Sequence, residues 1–286
     1  MNDRNTAVRR VKSGALKAAI YVSAAIVCVL AAAIAIVVLV KGLPHITLQF
    51  LTEKPSLLTG KIGILPNILN TLYIIFFTMI IVIPLGIGAA VYLNEYAKNK
   101  KLTGLIGLAA ETLSGIPSII YGLVGMLIFV QFCGFGTSLI AGAMTLVVMT
   151  LPTIMRTTEE SLKAVPQSYR EGALALGSGK WRMLRTVVLP SAVDGIITGV
   201  ILAVGRITGE SAALFFTAGM ANEIYGFAQA ASSGNAGSTL TVSLYMYAKE
   251  RGEFDTAFAV AAILLILTLL LNFGAKYAQK HFAERS

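Results

Sequence analysis

Histidine is nearly missing from this chain: only His45 and His281 occur, both outside the apolar runs, so neither a histidine-rich metal site nor a Ser–His pair can be built within a membrane-embedded part. Cysteine is as scarce. Cys28 lies midway through an apolar run and Cys133 at the end of another, which excludes a disulfide framework and predicts reduced thiols packed as small hydrophobes. Charge is the third shortage, at 13% of the 286 residues, against roughly 25% in soluble domains. A Walker loop is missing too. Gly177, Gly179 and Lys180 resemble its glycines and lysine, but Lys180 is followed by Trp181 rather than Ser or Thr, and the residue five before Gly179 is Leu174. No Pro- or Ser-rich linker and no repeat of solenoid length divides the chain, so a single membrane domain over 18–286 is expected behind an N-terminal segment, 1–17.

What is abundant is apolar sequence, 56% of all residues. Runs long enough to cross a bilayer, about 20 residues each, fall at 18–40, 68–93, 105–132, 138–155, 192–216 and 257–273, predicting an all-α integral membrane protein with six transmembrane helices. The first run follows Arg9, Arg10, Lys12 and Lys17 but exceeds the roughly 7–15 residues of a signal-peptide core and precedes no cleavage motif, so it is expected to stay as a helix. Of the 23 Lys and Arg residues, seventeen lie in the segments that share a side with the N-terminus and five, Lys41, Lys54, Lys61, Lys249 and Arg251, on the other. The asymmetry predicts cytoplasmic termini. The excess of base over acid, +9 overall, is therefore assigned to cytoplasmic loops rather than to nucleic-acid binding. The segment 218–255 carries ASSGNAGST, too polar for lipid, and is expected at the outer surface or folded partly back inside the protein, as a docking surface or a plain connector.

The largest cytoplasmic loop holds EGALALGSGKWRMLRTVVLP, residues 171–190. Pro166 stops the preceding helix, Ser168 and Glu171 match a capping box, and Gly177 ends the short helix they begin. A second helix follows to Val188, with Leu189 and Pro190 at the entry to the fifth span. These residues resemble the EAA loop of ABC-importer permeases, whose pattern is E-A-A, three residues, G, nine residues, I-x-L-P. Glu171-Gly172-Ala173, Gly177 and Val187-Val188-Leu189-Pro190 keep every spacing, with Gly172 in place of Ala and Val187 in place of Ile. The resemblance implies a type I importer fold whose cytoplasmic coupling helix, within about 156–190, docks on a separate ATPase dimer. Glu171, Gly172, Ala173, Gly177, Leu189 and Pro190 would be the coupling residues. ATP and magnesium would then sit on the partner, with no cofactor, metal or catalytic residue on this chain.

From about residue 68 onward the sequence also resembles the phosphate-importer permeases, in PLGIGAAVYLNEYA, ETLSGIPSIIYGLVG, RTTEESLKAVPQSYREGALALG and GRITGESAALFFTAG. That likeness implies a sister permease subunit, an external phosphate-binding protein and phosphate as partners, in the bacterial cytoplasmic membrane; a permease for another oxyanion or small solute is the alternative. The residues themselves point toward an anion. Arg206 falls near the middle of the fifth span, where a charge costs about 2.5–3.5 kcal/mol, and Glu210 follows four residues on, one helical turn away. Two readings stand: a structural ion pair, or an arginine that meets phosphate with Glu210 orienting it and balancing its charge. Glu111 and the run Ser114 to Ser118 interrupt the third span at Pro117, as a cavity lining or as a packing kink. Thr208, Ser211 and Tyr121 complete the candidate substrate path.

Overall fold

The computed structural model describes residues 3–55 and 62–283. Lys61 and Arg285, both counted in the charge asymmetry, lie outside the described residues. In chain order the helices are α1 (Asp3–Gly42), α2 (Leu48–Thr52), α3 (Leu65–Val91), α4 (Lys100–Ser114), α5 (Ser118–Gly125), α6 (Leu139–Ala164), α7 (Gln167–Ala175), α8 (Lys180–Met183), α9 (Leu189–Thr208), α10 (Ala212–Thr217), α11 (Phe227–Ala230), α12 (Leu240–Tyr245) and α13 (Phe254–Ala283). Their starts are set locally by side chains that accept otherwise orphaned backbone N–H groups. Asn99 takes those of Lys101 and Leu102, Ser138 that of Ala141, and Thr239 that of Val242.

The bundle is built around α6, whose membrane-length stretch is the most buried, and α3 packs along it over the largest interface in the fold. Small residues permit the close crossings, as lipid-embedded helices require. A Cβ added at Gly86 would lie 2.7 Å from Ile154 Cγ2, and α9 brings Gly195 and Gly199 against Ser161 and Thr157 of α6. Ile74, Val82, Leu146, Met149, Ala203, Ile207 and Leu214 form the main core between α3, α6, α9 and α10. By contrast the apolar part of α1 is apolar all round and its most apolar stretch is unburied; the helix leans on α13, where Gly42 meets the backbone of Phe258.

Among the described residues, five single helical stretches are long and apolar enough to span a bilayer, and α4 with α5 and its extension to Phe132 meets the same criterion as a pair, bent by 102°. The expected third span, 105–132, is thus two helices at more than a right angle. Pro117 has no N–H to continue the ladder, and the Tyr121 hydroxyl reaches back across the break to donate to the Leu113 carbonyl at 2.7 Å. The fifth span also departs from expectation. Instead of running through 192–216 it stops at Thr208 and resumes as α10. One tertiary and one local bond hold that break: Thr241 Oγ1 donates to the Glu210 carbonyl at 2.7 Å, and Glu210 Oε1 accepts the Ala213 N–H, three residues on, at 3.0 Å. At its start the same helix is more continuous than expected. A π-turn over Leu184–Val188 joins α8 directly to α9, so Leu189 and Pro190 lie within one helical path.

The capping box at Ser168 and Glu171 does not form; α7 begins at Gln167 with Pro166 in the cap position, two residues earlier than expected. The segment before α12 folds back onto the end of α3 remote from α7. There Asn67 Nδ2 donates to Asn222 Oδ1 at 2.9 Å, Asn70 Nδ2 donates to the Ser238 carbonyl at 3.3 Å, and Thr71 Oγ1 accepts the Leu240 N–H at 2.9 Å. Both asparagines are buried, which explains how so polar a stretch is tolerated against apolar helices. Cys28 and Cys133 are unpaired, but both are exposed on the subunit surface rather than packed as small core residues.

Candidate functional site

Two broken spans meet through their second halves. At the α5–α10 contact Gly122 lies so close that an added Cβ would sit 2.8 Å from Ala213 Cα. Beside this contact α9 ends, carrying Arg206 half-buried in its last turn. The expected pairing with Glu210 is not formed, because the helix ends before Glu210 and the carboxylate turns to cap α10. Among the described residues Arg206 has no hydrogen-bond or ion-pair partner, and Tyr121 on α5 lies within its electrostatic range. A half-buried guanidinium with its donors unused is costly unless something polar reaches it.

The other path candidates divide. Ser211 opens onto a cavity of about 200 Å³ whose walls are mainly Ile119, Phe215, Phe216 and Tyr245, and Ser118 is half-buried at the first position of α5. Thr208 and Ser114 spend their hydroxyls on their own helices, donating to Val204 and Ala110 at 2.7 and 2.9 Å. Glu111 joins neither group. It pairs with Arg156 of α6 at 3.4 Å, and both line a second cavity of about 400 Å³ with Glu159, Glu160 and Lys163.

The second candidate region is the hairpin of α7 and α8. Gly177 takes φ +81°, and the turn closes with Gly177 N–H on the Leu174 carbonyl at 2.9 Å and Ser178 N–H on the Ala173 carbonyl at 3.1 Å, the paired bonds of a Schellman ending. Ala173 faces inward with Met183, Leu184 and Val188. Outward, Glu171, Gly172, Leu176 and Trp181 are exposed, the last two at 89% and 63%, and a Cβ at Gly172 would meet nothing within 4 Å. Leu189 and Pro190 are half-buried at the helix entry, and Leu189 packs on the inward cluster, so the structural end of the motif lies away from the exposed face.

Two residues that sequence reasoning passed over hold this hairpin. Arg170 is buried, and its guanidinium donates to Glu95 Oε1 at 3.0 Å, the Val165 carbonyl at 2.8 Å and the Leu162 carbonyl at 2.7 Å. Glu95 sits in the π-turn that ends α3, with its side chain 7% exposed. The available signal was Glu95 as the lone acid in PLGIGAAVYLNEYA and an arginine immediately before the EAA-like triplet. Only folding puts the two together.

Membrane-length helices around a central α6, with broken spans at their contact and an exposed helical hairpin between the fourth and fifth, define a membrane permease. The chain belongs to the family of binding-protein-dependent transport system inner membrane components, whose model matches residues 82–286. It is 38% identical to a probable ABC transporter permease protein, YqgI, of Bacillus subtilis (strain 168), over 84% of this chain and 85% of that one. It is 33% identical to the phosphate transport system permease protein PstA of Xylella fastidiosa (strain 9a5c), over 82% and 81%. In fold it is similar to the inward-facing MetNI methionine ABC transporter, with a TM-score of 0.60 at 22% identity over 77% of this chain and 94% of that one. The fold is that of an ABC-importer permease.

Proposed function

We propose that this chain is the membrane-spanning subunit of an ATP-driven phosphate importer. With a sister permease it forms the translocation path; through α7 and α8 it takes its motion from a separate ATPase dimer, and an external phosphate-binding protein delivers the solute. Both termini and the α7–α8 hairpin face the cytoplasm, as the basic majority requires. Arg206 carries the reading. It stands half-buried at the break between α9 and α10, with no partner among the described residues. A planar, permanently charged fork suits phosphate oxygens, and a low-dielectric passage strengthens each such bond. Glu210 acts indirectly here, fixing α10 by its cap so that the path keeps its shape. The relatives named as phosphate permeases support the solute; another oxyanion or small solute would use the same machinery.

The test is Arg206→Gln in the complex reconstituted with its partners. Because Arg206 supports no partner among the described residues, assembly and ATPase retention are expected to stay at the wild-type level. Phosphate uptake should fall by roughly ten- to a hundredfold, the worth of one charge-assisted bond of about 1.5–3 kcal/mol. Uptake near the wild-type rate removes Arg206 from the path and leaves the phosphate reading without its main support.

A further inference from the structure

The end of α3 is gripped by the coupling hairpin from two sides. From α7, Arg170 bonds the Glu95 carboxylate; from α8, the Lys180 ammonium donates to the Glu95 backbone carbonyl and lies over the Tyr96 ring, 4.9 Å from its centroid. Asn94 Nδ2 steadies the same Glu95 Oε1 at 2.9 Å. The other two Arg170 donations fall on the Leu162 and Val165 carbonyls at the end of α6, the first of which also takes the Val165 N–H at 3.4 Å. One guanidinium therefore ties α3, α6 and α7 at a single point. Behind it, Val91, Leu93, Leu162, Val165, Ala173 and Met183 form an apolar cluster of their own, separate from the main core.

We infer that the Glu95–Arg170 pair is the joint through which movement of the coupling hairpin reaches α3, and so the transmembrane bundle; the inference rests on the importer reading above. Covalent continuity already links the hairpin to α6 and α9. No covalent continuity links it to α3: the contact is made by these polar bonds and by the packing of Val91 and Leu93 with Ala173 and Met183, and α3 in turn carries the main core along its long interface with α6. The pair is nearly dry, at 11% and 7% side-chain exposure, so it is strong and poorly screened by salt, and its geometry is fixed by three acceptors at once. Glu95 and Arg170 are positioning residues: neither lies on the exposed docking face, and neither belongs to the Arg206 region.

The experiment compares Glu95→Ala and the milder Glu95→Gln with wild type in the full transporter complex in vesicles, measuring phosphate imported per ATP hydrolysed. ATPase co-purification and hydrolysis are expected to persist, while the import ratio falls by roughly tenfold in Glu95→Ala and less in Glu95→Gln, as loss of a typical coupling free energy implies. A fall of uptake and hydrolysis together, in proportion to assembled complex in both variants, makes the pair merely structural and overturns the inference. A second readout needs no solute. Spin labels at the exposed Leu85 of α3 and Leu270 of α13 should change separation when ATP and vanadate trap the wild-type complex, and should not in Glu95→Ala. Wild-type complex that hydrolyses ATP without importing phosphate counts against the solute and leaves this arm to decide. An undiminished change in Glu95→Ala overturns the joint.

Discussion

Gly122→Ala is the sharpest probe of how the two broken spans hold the site. The new Cβ would lie 2.8 Å from Ala213 Cα, 3.1 Å from the Ala212 carbonyl oxygen and 3.0 Å from Phe216 Cδ2. Two of those three atoms are backbone, so a side-chain rotation relieves only the contact with Phe216. Restoring an ordinary carbon–carbon separation of about 3.8 Å requires α5 and α10 to part by about 1 Å. Overpacking of this kind costs about 1–3 kcal/mol, and the backbone contacts place it near the upper end. Alanine's helical preference over glycine returns about 1 kcal/mol, leaving a net loss of about 2 kcal/mol. Gly88→Ala on α3 is the matched comparison, because its Cβ would meet nothing within 4 Å and only the helical gain applies. The two variants should therefore differ by about 3 kcal/mol, or roughly 6–12 °C in Tm at 2–4 °C per kcal/mol. Thermal unfolding of the purified subunit in detergent reads the difference, with phosphate uptake as the functional check, since α10 carries the cap that shapes the Arg206 region. Equal melting temperatures for the two variants would falsify the close-crossing argument.

Gly177→Ala should cost about 1–2 kcal/mol, because φ is +81° there and the added methyl meets no neighbour that would add or relieve strain. The loss should appear as weaker retention of the ATPase subunit on an affinity column with the membrane helices intact by circular dichroism; full retention and full uptake would contradict the placing of this turn in the coupling hairpin. For orientation, an impermeant thiol reagent on intact cells should modify Lys54→Cys and spare Lys98→Cys and Arg182→Cys. The reverse labelling would invert the topology.

Periodicity and charge made the coarse plan legible. Long apolar runs have one stable solution in a bilayer, which is why six spanning segments and the all-helical class could be read directly. The hairpin was equally legible, since a glycine at the end of a short helix and a spaced motif are local facts; Gly177 takes the positive φ its position called for. The local rule failed at Ser168, where a capping box was available but Pro166 fixed the helix start and Arg170 was drawn inward by Glu95.

The sequence by itself determined which segments cross the membrane, because hydrocarbon enforces that choice residue by residue. Where those segments break was decided by the tertiary structure. Gly209 permits helix α9 to end at Thr208, but the break is held by Thr241, far along the chain, which bonds the Glu210 carbonyl while Glu210 caps α10 instead of pairing with Arg206. The same holds for the 102° turn between α4 and α5, which Pro117 permits but Tyr121 and the Gly122–Ala213 contact secure. A hydrogen bond between distant residues has no signature in the spacing of either one. The charge at Arg206, unpartnered among the described residues, and the buried contact of Glu95 with Arg170 depend on such bonds, and so became visible only once the helices were packed.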